Sequence, residues 1–316
     1  MNPAAAVSLR DVRRTFGPLT AVDGLSFDVA PGELFGIVGP DGAGKTTTMR
    51  MLAGILPPSS GGVEVDGVDV VADPEAAKPR LAYMAQRFGL YEDLSVQENL
   101  DFYADLYGVP SSARPARLER LYRFSRLGEF SERLAGKLSG GMKQKLSLSC
   151  CLIHQPSVLL LDEPTFGVDP ISRRELWRIL HEMVAEGITV VVSTSYLDEA
   201  ERCDRVVLLD QGRALALDEP AALQQSLDEG LLRVRSADPR ATRDGLRALD
   251  GVRSATLFGD AVHVLLRTGT GPDELRQAAA AAGLEAESFE AIEPSLEDVF
   301  IHRVSTARPA DGAAGT

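Results

Sequence analysis

Two hydrophobic patterns trade places along this chain. Near the N-terminus apolar and polar residues alternate one by one, as in Val7-Ser8-Leu9 and Leu25-Ser26-Phe27-Asp28-Val29. A period of two predicts strands with one wetted face. Unbroken apolar runs follow at 35–38, 158–161 and 190–192. Runs of this kind suit central parallel strands covered on both faces. A helix is expected at 47–55 behind the first run, and another at 176–184 between the second and third. Residues 63–71 read as a hairpin on an edge sheet. From Val96 to about Leu134 the period turns helical, through Leu100, Tyr103, Leu106, Tyr107, Leu118, Leu121 and Tyr122. Strands at 206–209 and 214–217 close this α/β part.

A second unit is expected from about Leu231. Strand patterns at 231–234, 252–258 and 261–266, with helices at 240–249 and 273–282, suggest a small ferredoxin-like sheet with two helices. Ser295 is placed to cap a final helix, with Asp298 three residues on. Residues 306–316 are small and polar and are expected to be disordered.

Composition narrows the partners. The 316 residues are 44% hydrophobic and 25% charged, with a net charge of −13. An acidic chain repels nucleic acid unless a basic patch compensates. Arg114, Arg117, Arg120, Arg123 and Arg126 recur every three residues, but Glu119, Glu129 and Glu132 accompany them, which reads as a solvated helix face. No nucleic-acid partner is expected. Cys150, Cys151 and Cys203 are too few for a disulfide frame and read as buried thiols in a reducing compartment. His154, His181, His263 and His302 lack ligand spacing and read as structural. The N-terminus lacks the features of a signal peptide, and no apolar run reaches the roughly 20 residues that span a bilayer. Any membrane role would go through a partner.

The chemistry concentrates in three segments. Gly39-Pro40-Asp41-Gly42-Ala43-Gly44-Lys45-Thr46 fits the phosphate-cradling pattern GxxxxGK[ST], between a buried strand and a helix that begins at Thr47. Its glycines let several backbone N–H groups face one phosphate chain. Lys45 adds a cation for the β- and γ-phosphates of a nucleoside triphosphate, and the Thr46 hydroxyl is a ligand for Mg²⁺. Asp162 and Glu163 end an apolar strand. There Asp162 can hold Mg²⁺ through water, and Glu163 can orient or deprotonate an attacking water. Ser139-Gly140-Gly141, running through Gln144 into a helix at 142–153, offers a second set of N–H groups and a hydroxyl. Two phosphate clamps in one chain imply a head-to-tail dimer in which each clamp completes the other subunit's site.

In chain order, Phe16, Gly39–Thr46, Gln86, Leu138–Gln144, Asp162-Glu163 and Asp169 resemble the nucleotide-binding cassette of ABC transporters. The resemblance covers about residues 7–225. It implies an α/β fold, a P-loop NTPase cassette with a mixed core sheet, an antiparallel edge sheet and a helical subdomain. The implied organisation is a cassette over 1–228, its helical subdomain at about 88–150, a small α+β domain over 229–305 and a tail over 306–316. It also implies roles. Phe16 would stack on adenine, Gln86 would contact Mg²⁺ and water and sense the membrane partner, and Asp169 would lie in the loop that couples two cassettes. The helical block would contact a permease, with Leu90-Tyr91-Glu92-Asp93-Leu94 as its docking surface.

One position departs from the family. Ser195 stands where the family has a histidine that contacts the γ-phosphate, and it is expected to reach a phosphate only through water. Slow ATP hydrolysis, or dependence on a partner cassette, is the implied consequence. The flavour of the motifs is similar to the first half of tandem two-cassette multidrug exporters, which also carries serine there. The tail Pro294-Ser-Leu-Glu-Asp-Val-Phe300 resembles that of daunorubicin-resistance-type subunits. The resemblance therefore implies an ATPase that binds ATP and Mg²⁺. It would power drug or amphiphile efflux through an integral membrane permease at the inner face of the cell membrane, as a homodimer or heterodimer of cassettes. The alternatives are an importer ATPase with a regulatory C-terminal domain, or a non-transport ABC ATPase.

Overall fold

The computed structural model describes residues 5–87, 89–227 and 230–307. The chain divides into two compact units at Leu217 and Asp218. The first runs β1 (Val7–Phe16), β2 (Leu19–Val29), β3 (Leu34–Val38), α1 (Lys45–Leu52), β4 (Ser60–Val65), β5 (Val68–Asp69), α2 (Pro74–Ala77), β6 (Leu81–Met84), α3 (Val96–Leu106), α4 (Arg114–Ser125) and α5 (Gly140–Leu152). It continues through β7 (Val158–Asp162), α6 (Pro170–Ala185), β8 (Thr189–Thr194), α7 (Leu197–Ala200), β9 (Arg205–Asp210) and β10 (Arg213–Asp218).

A six-stranded sheet in the order β10-β9-β3-β8-β7-β6 forms the centre of this unit. Strands β9, β3, β8, β7 and β6 are parallel, and nearly every residue in them is buried. That explains their unbroken apolar composition. A two-residue turn at Gln211-Gly212 brings β10 back beside β9, a connection only an antiparallel pair allows. A second sheet, β2-β1-β4-β5, is antiparallel, so only one of its faces needs apolar residues. Its Leu9, Leu25, Phe27 and Val63 meet Met49 and Leu52 of α1 and Phe35, Ile37 and Leu160 of the central sheet in one apolar core. Phe27 stacks on Phe35 with ring centroids 4.9 Å apart.

The parallel register fixes where chemistry can occur. Val38 lies opposite Thr194, and Asp162 opposite Ser193. The segments that follow β3, β7 and β8 therefore leave one edge of the sheet together, where ligands of open α/β sheets bind.

Several elements differ from the hydrophobic pattern. The helical stretch after Val96 is two helices, α3 and α4, because Gly108 turns at φ 63° and Pro110 follows it. Helix α6 starts at Pro170, a full turn and more before its first buried residue Leu176. There Asp169 Oδ1 accepts from Ile171 N at 3.1 Å and Ser172 N at 3.0 Å, and Pro170 supplies the first-turn φ. The arginines of α4 are not simply a solvated face. Arg114 Nε donates to Val109 O at 3.0 Å, Arg117 Nη1 donates to Ile153 O at 2.9 Å, and Arg120 pairs with Glu186. These three arginines are half-buried, and their guanidinium groups tie α4 to neighbouring segments.

The second unit comprises α8 (Pro220–Gln225), β11 (Leu231–Arg235), α9 (Pro239–Arg247), β12 (Val252–Phe258), β13 (Ala261–Leu266), α10 (Pro272–Ala281), β14 (Ser288–Ala291) and α11 (Leu296–Ala307). Its antiparallel sheet has the order β12-β13-β11-β14 and the βαββαβ connectivity of a ferredoxin-like fold. Val234, Val262 and Val264 of the sheet pack with Leu246 and Leu275 of the helices. Helix α8 belongs to this unit rather than to the first, and Arg303 Nη2 of α11 donates to Ser226 Oγ at its end, 3.1 Å away. Ser295 caps α11 as expected: its Oγ accepts from Asp298 N at 3.3 Å, and Asp298 Oδ2 accepts from Ser295 N at 2.9 Å. Thr306 and Ala307, assigned to the tail from sequence, are helical; residues 308–316 lie outside the described residues, as do Asp228 and Glu229 at the expected boundary.

Candidate functional site

Gly39 to Gly44 form a loop between β3 and α1 that ends at Gly44 with φ 103°. A side chain at Gly44 would meet Ala21 O at 2.5 Å, so the position excludes every other residue on both counts. Helix α1 then begins at Lys45, two residues earlier than the pattern indicated, and its N–H groups face the loop.

Lys45 is nearly buried, at 5% exposure. Its Nζ donates to Gly39 O at 2.8 Å, Pro40 O at 3.1 Å and Ser195 Oγ at 2.8 Å, and lies 3.0 Å from Glu163 Oε1. Glu163 follows β7 in the left-handed region, at φ 52°. A non-glycine residue held there by its surroundings is a mark of a functional turn. Its N–H donates to Ser193 Oγ at 3.0 Å, which helps to hold that geometry.

Asp162, at the end of β7, gathers donors from three directions. Thr46 Oγ1 donates to its Oδ1 at 3.1 Å, Ser193 Oγ to the same oxygen at 2.7 Å, and Tyr83 OH to Oδ2 at 3.2 Å. Burial and the neighbouring Asp162 carboxylate push the Tyr83 phenol up to about 12, so it stays a donor. A hydroxyl and a carboxylate oxygen side by side form the hard-oxygen donor set that Mg²⁺ takes. Thr46 and Asp162 thus fit that ion.

A cleft of about 290 Å³ opens above these groups, lined by Phe16, Leu19, Asp41, Lys45, Thr46, Thr47, Gln86 and Glu163 among others. Phe16 is 44% exposed and has the Arg14 guanidinium 4.6 Å from its ring centroid. The cleft therefore joins a flat aromatic lip, a row of N–H groups, one cation and two carboxylates. It can grip a base at one end and polyphosphate at the other.

Ser139, Gly140, Gly141, Gln144 and Asp169 do not line this cleft. Gly141 and Asp169 come together where α5 and α6 begin. Ser139 caps α5, its Oγ accepting from Met142 N at 3.3 Å. A side chain on Gly141 would meet Ser172 Oγ at 2.2 Å, so the glycine lets the first turns of α5 and α6 touch. Asp169 Oδ2 lies 3.8 Å from the same point. Hydrogen bonds from Ser172 and Ile171 hold the Asp169 carboxyl below its usual range. Phe166 and Ile171 beside it are 57% and 64% exposed.

Sequence reasoning missed three supports of the site. Tyr83 and Ser193 orient Asp162, as above. Glu199, only 1% exposed, accepts from Thr165 Oγ1 and Thr194 Oγ1, both at 2.8 Å, and pairs with Arg173 at 3.3 Å. It joins the segments that follow β7 and β8 to α6. Ser195 has contacts that sequence reasoning did not foresee: its hydroxyl accepts from Lys45 Nζ and donates to Glu163 Oε1, both at 2.8 Å.

A broader concavity of about 770 Å³ lies elsewhere on the first unit, lined by Ile55, Lys78, Leu106, Tyr107, Arg117 and His154 among others. Tyr107 stacks on His154 at 4.1 Å, and Tyr91, Phe102 and Leu106 are exposed nearby in sequence.

Comparison with known proteins agrees with this geometry. The model described as "ABC transporter" matches residues 22–166, and that of the "ATP-binding protein DrrA1-3-like, C-terminal domain" matches residues 219–304. The chain is 44% identical to a probable multidrug ABC transporter ATP-binding protein, YbhF, of Escherichia coli, over 98% of this chain and 54% of that protein. It thus spans about half the length of that curated relative. It is 34% identical to the daunorubicin/doxorubicin resistance ATP-binding protein DrrA of Streptomyces peucetius, over 98% of this chain and 95% of that one. A solved structure of the ATP-binding subunit of an ABC transporter aligns with a TM-score of 0.64 at 30% identity, covering 70% of this chain and 92% of that one.

Proposed function

We propose, because this chain belongs to the ABC transporter family of ATP-binding proteins, that it is the ATP-hydrolysing subunit of an exporter of drugs or other amphiphiles. The separation of two phosphate-binding features on one chain carries this reading. The Lys45 cleft holds the nucleotide, and the Ser139 turn caps the nucleotide of a second cassette. Relatives named for multidrug transport and drug resistance support the exporter class.

In the closed pair, Phe16 stacks on the base while the Gly39–Gly44 amides and Lys45 hold the phosphates. Thr46 and Asp162 would hold Mg²⁺, which neutralises phosphate charge when bound. Gln86 reaches the same cleft from the segment after β6 and orients water. Glu163, at the sheet edge, takes a proton from that water as it attacks the γ-phosphorus. The N-terminus of α5, with Ser139 and Gly140, supplies N–H groups to the phosphate across the interface. Phe166 and Ile171 beside Asp169 give that interface its apolar contact. Closing and reopening of the pair is a ligand-driven population shift that a permease can read.

The concavity around Tyr107 and His154, with the exposed rings of Tyr91 and Phe102, is the surface for that permease. Among the described residues no helix is long and apolar enough to cross a membrane. In this reading a spanning partner carries the substrate, and the cassette sits against it on the inner face.

Sedimentation of the Glu163→Gln chain with ATP tests the reading. A mass near twice the monomer with ATP, and the monomer mass with ADP, is the expected pair of results. A monomer in both, with ATP bound, contradicts it.

A further inference from the structure

Lys45 is already saturated by its own chain. An ammonium has three protons. Gly39 O, Pro40 O, Ser195 Oγ and Glu163 Oε1 all stand within 3.1 Å of Nζ. Any phosphate that uses this cation must displace at least one of them.

The two side-chain acceptors are coupled to each other. Ser195 Oγ donates to Glu163 Oε1 at 2.8 Å, and Asp41 Oδ1 is the more distant alternative at 3.3 Å. Lys45 Nζ, Ser195 Oγ and Glu163 Oε1 therefore close a triangle with edges of 2.8, 2.8 and 3.0 Å. Lys45 and Glu163 are 5% and 7% exposed, so water does little to weaken their attraction. A serine at this corner is short enough to bond both partners at once.

We propose that this triangle is a latch: Glu163 and Ser195 compete with nucleotide phosphate for Lys45, so that phosphate binding and release of the Glu163 carboxylate are one event. While the latch is closed, Glu163 Oε1 is occupied by a cation and a hydroxyl and is unavailable to a water. Once phosphate takes Lys45, Glu163 Oε1 is released from the cation and can accept a hydrogen bond from water. Ser195 is then a positioning residue, holding Glu163 on Lys45, and the cassette binds nucleotide more weakly than its phosphate loop alone would allow. No covalent step is involved. The inference rests on the assignment of Lys45 to phosphate made above.

The test is the affinity of the isolated chain for ADP, read with a fluorescent ADP analogue at a concentration where sedimentation shows monomer. Glu163→Gln removes the competing charge, and ADP is expected to bind on the order of tenfold tighter, equivalent to about 1.4 kcal/mol. Ser195→Ala is expected to tighten binding in the same direction by a smaller factor. The double variant should gain less over Glu163→Gln than Ser195→Ala gains over the wild type, because the two acceptors hold Lys45 as one unit. Glu163→Ala serves if the glutamine variant folds poorly by circular dichroism. A residue that merely supported the loop would weaken binding when altered. Unchanged or weaker ADP affinity in the Glu163 and Ser195 variants overturns the latch. ADP binding to a monomer does not report on the two-cassette sandwich, so that result leaves the sandwich standing.

Discussion

Asp162 shows what a single residue does here. It accepts from Thr46 and Ser193 on one oxygen and from Tyr83 on the other. Asp162→Asn removes the charge that would face the proposed Mg²⁺ while keeping much of the packing. The Mg²⁺ concentration for half-maximal hydrolysis is expected to rise on the order of 10–100-fold, with nucleotide binding in chelator unchanged; titration of turnover against Mg²⁺ checks it. The residues of the candidate site could be picked out in the sequence because phosphate chemistry leaves little freedom in residue type or spacing. Their supports could not. Tyr83 sits 79 positions from Asp162, and only the parallel pairing of β6 with β7 brings them together. Ser195 was legible as a departure from the family, but its direct bonds to Lys45 and Glu163 needed the three-dimensional edge of the sheet.

At the level of elements, the contact between α5 and α6 shapes the turn proposed to clamp a second phosphate. Gly141 is the point where the helices touch, with Ser172 filling the space a side chain would take. Gly141→Ala forces them apart at a cost of about 1–3 kcal/mol. A lowered urea midpoint, retained ADP binding and lost ATP-dependent dimerisation form the expected set. Preserved dimerisation would show that the α5 start is not part of the interface. The sequence pattern found the interior of these helices through their apolar stripes but not the first turn of α6. That turn has no buried residue to mark it, its Ile171 being exposed, and it exists because Asp169 caps it. In the same way the α4 arginines read as surface charge until their carbonyl partners were seen at Val109 and Ile153.

The whole molecule is two units with separate cores, and each yields its own expectation. In the second unit His263 Nδ1 and Asp298 Oδ1 lie 2.8 Å apart, both at 8% exposure, tying α11 to β13. His263→Ala leaves a buried carboxylate short of a partner, and a loss of about 1–3 kcal/mol is expected in the melting of this unit, with ADP binding unaltered. In the first unit burial pushes the Tyr83, Tyr107 and Tyr122 phenols up to about 12. The folded state holds these protons more tightly than the unfolded chain, whose tyrosines titrate near pH 10. Their contribution to stability is therefore full below about pH 10 and lost as pH rises toward 12, which urea midpoints across that window will show.

The central claim is that one nucleotide is held by two chains, and complementation between crippled cassettes tests it most directly. In a Glu163→Gln background, a chain carrying Lys45→Ala lacks the cradle, and a chain carrying Ser139→Ala lacks the clamp. Neither alone is expected to occlude ATP on a filter. Mixed, they assemble one site with an intact Lys45 from the second chain and an intact Ser139 from the first, and occluded ATP should appear in the mixture. No occlusion at any mixing ratio, from chains that each occlude ATP when Lys45 and Ser139 are restored, would contradict the account.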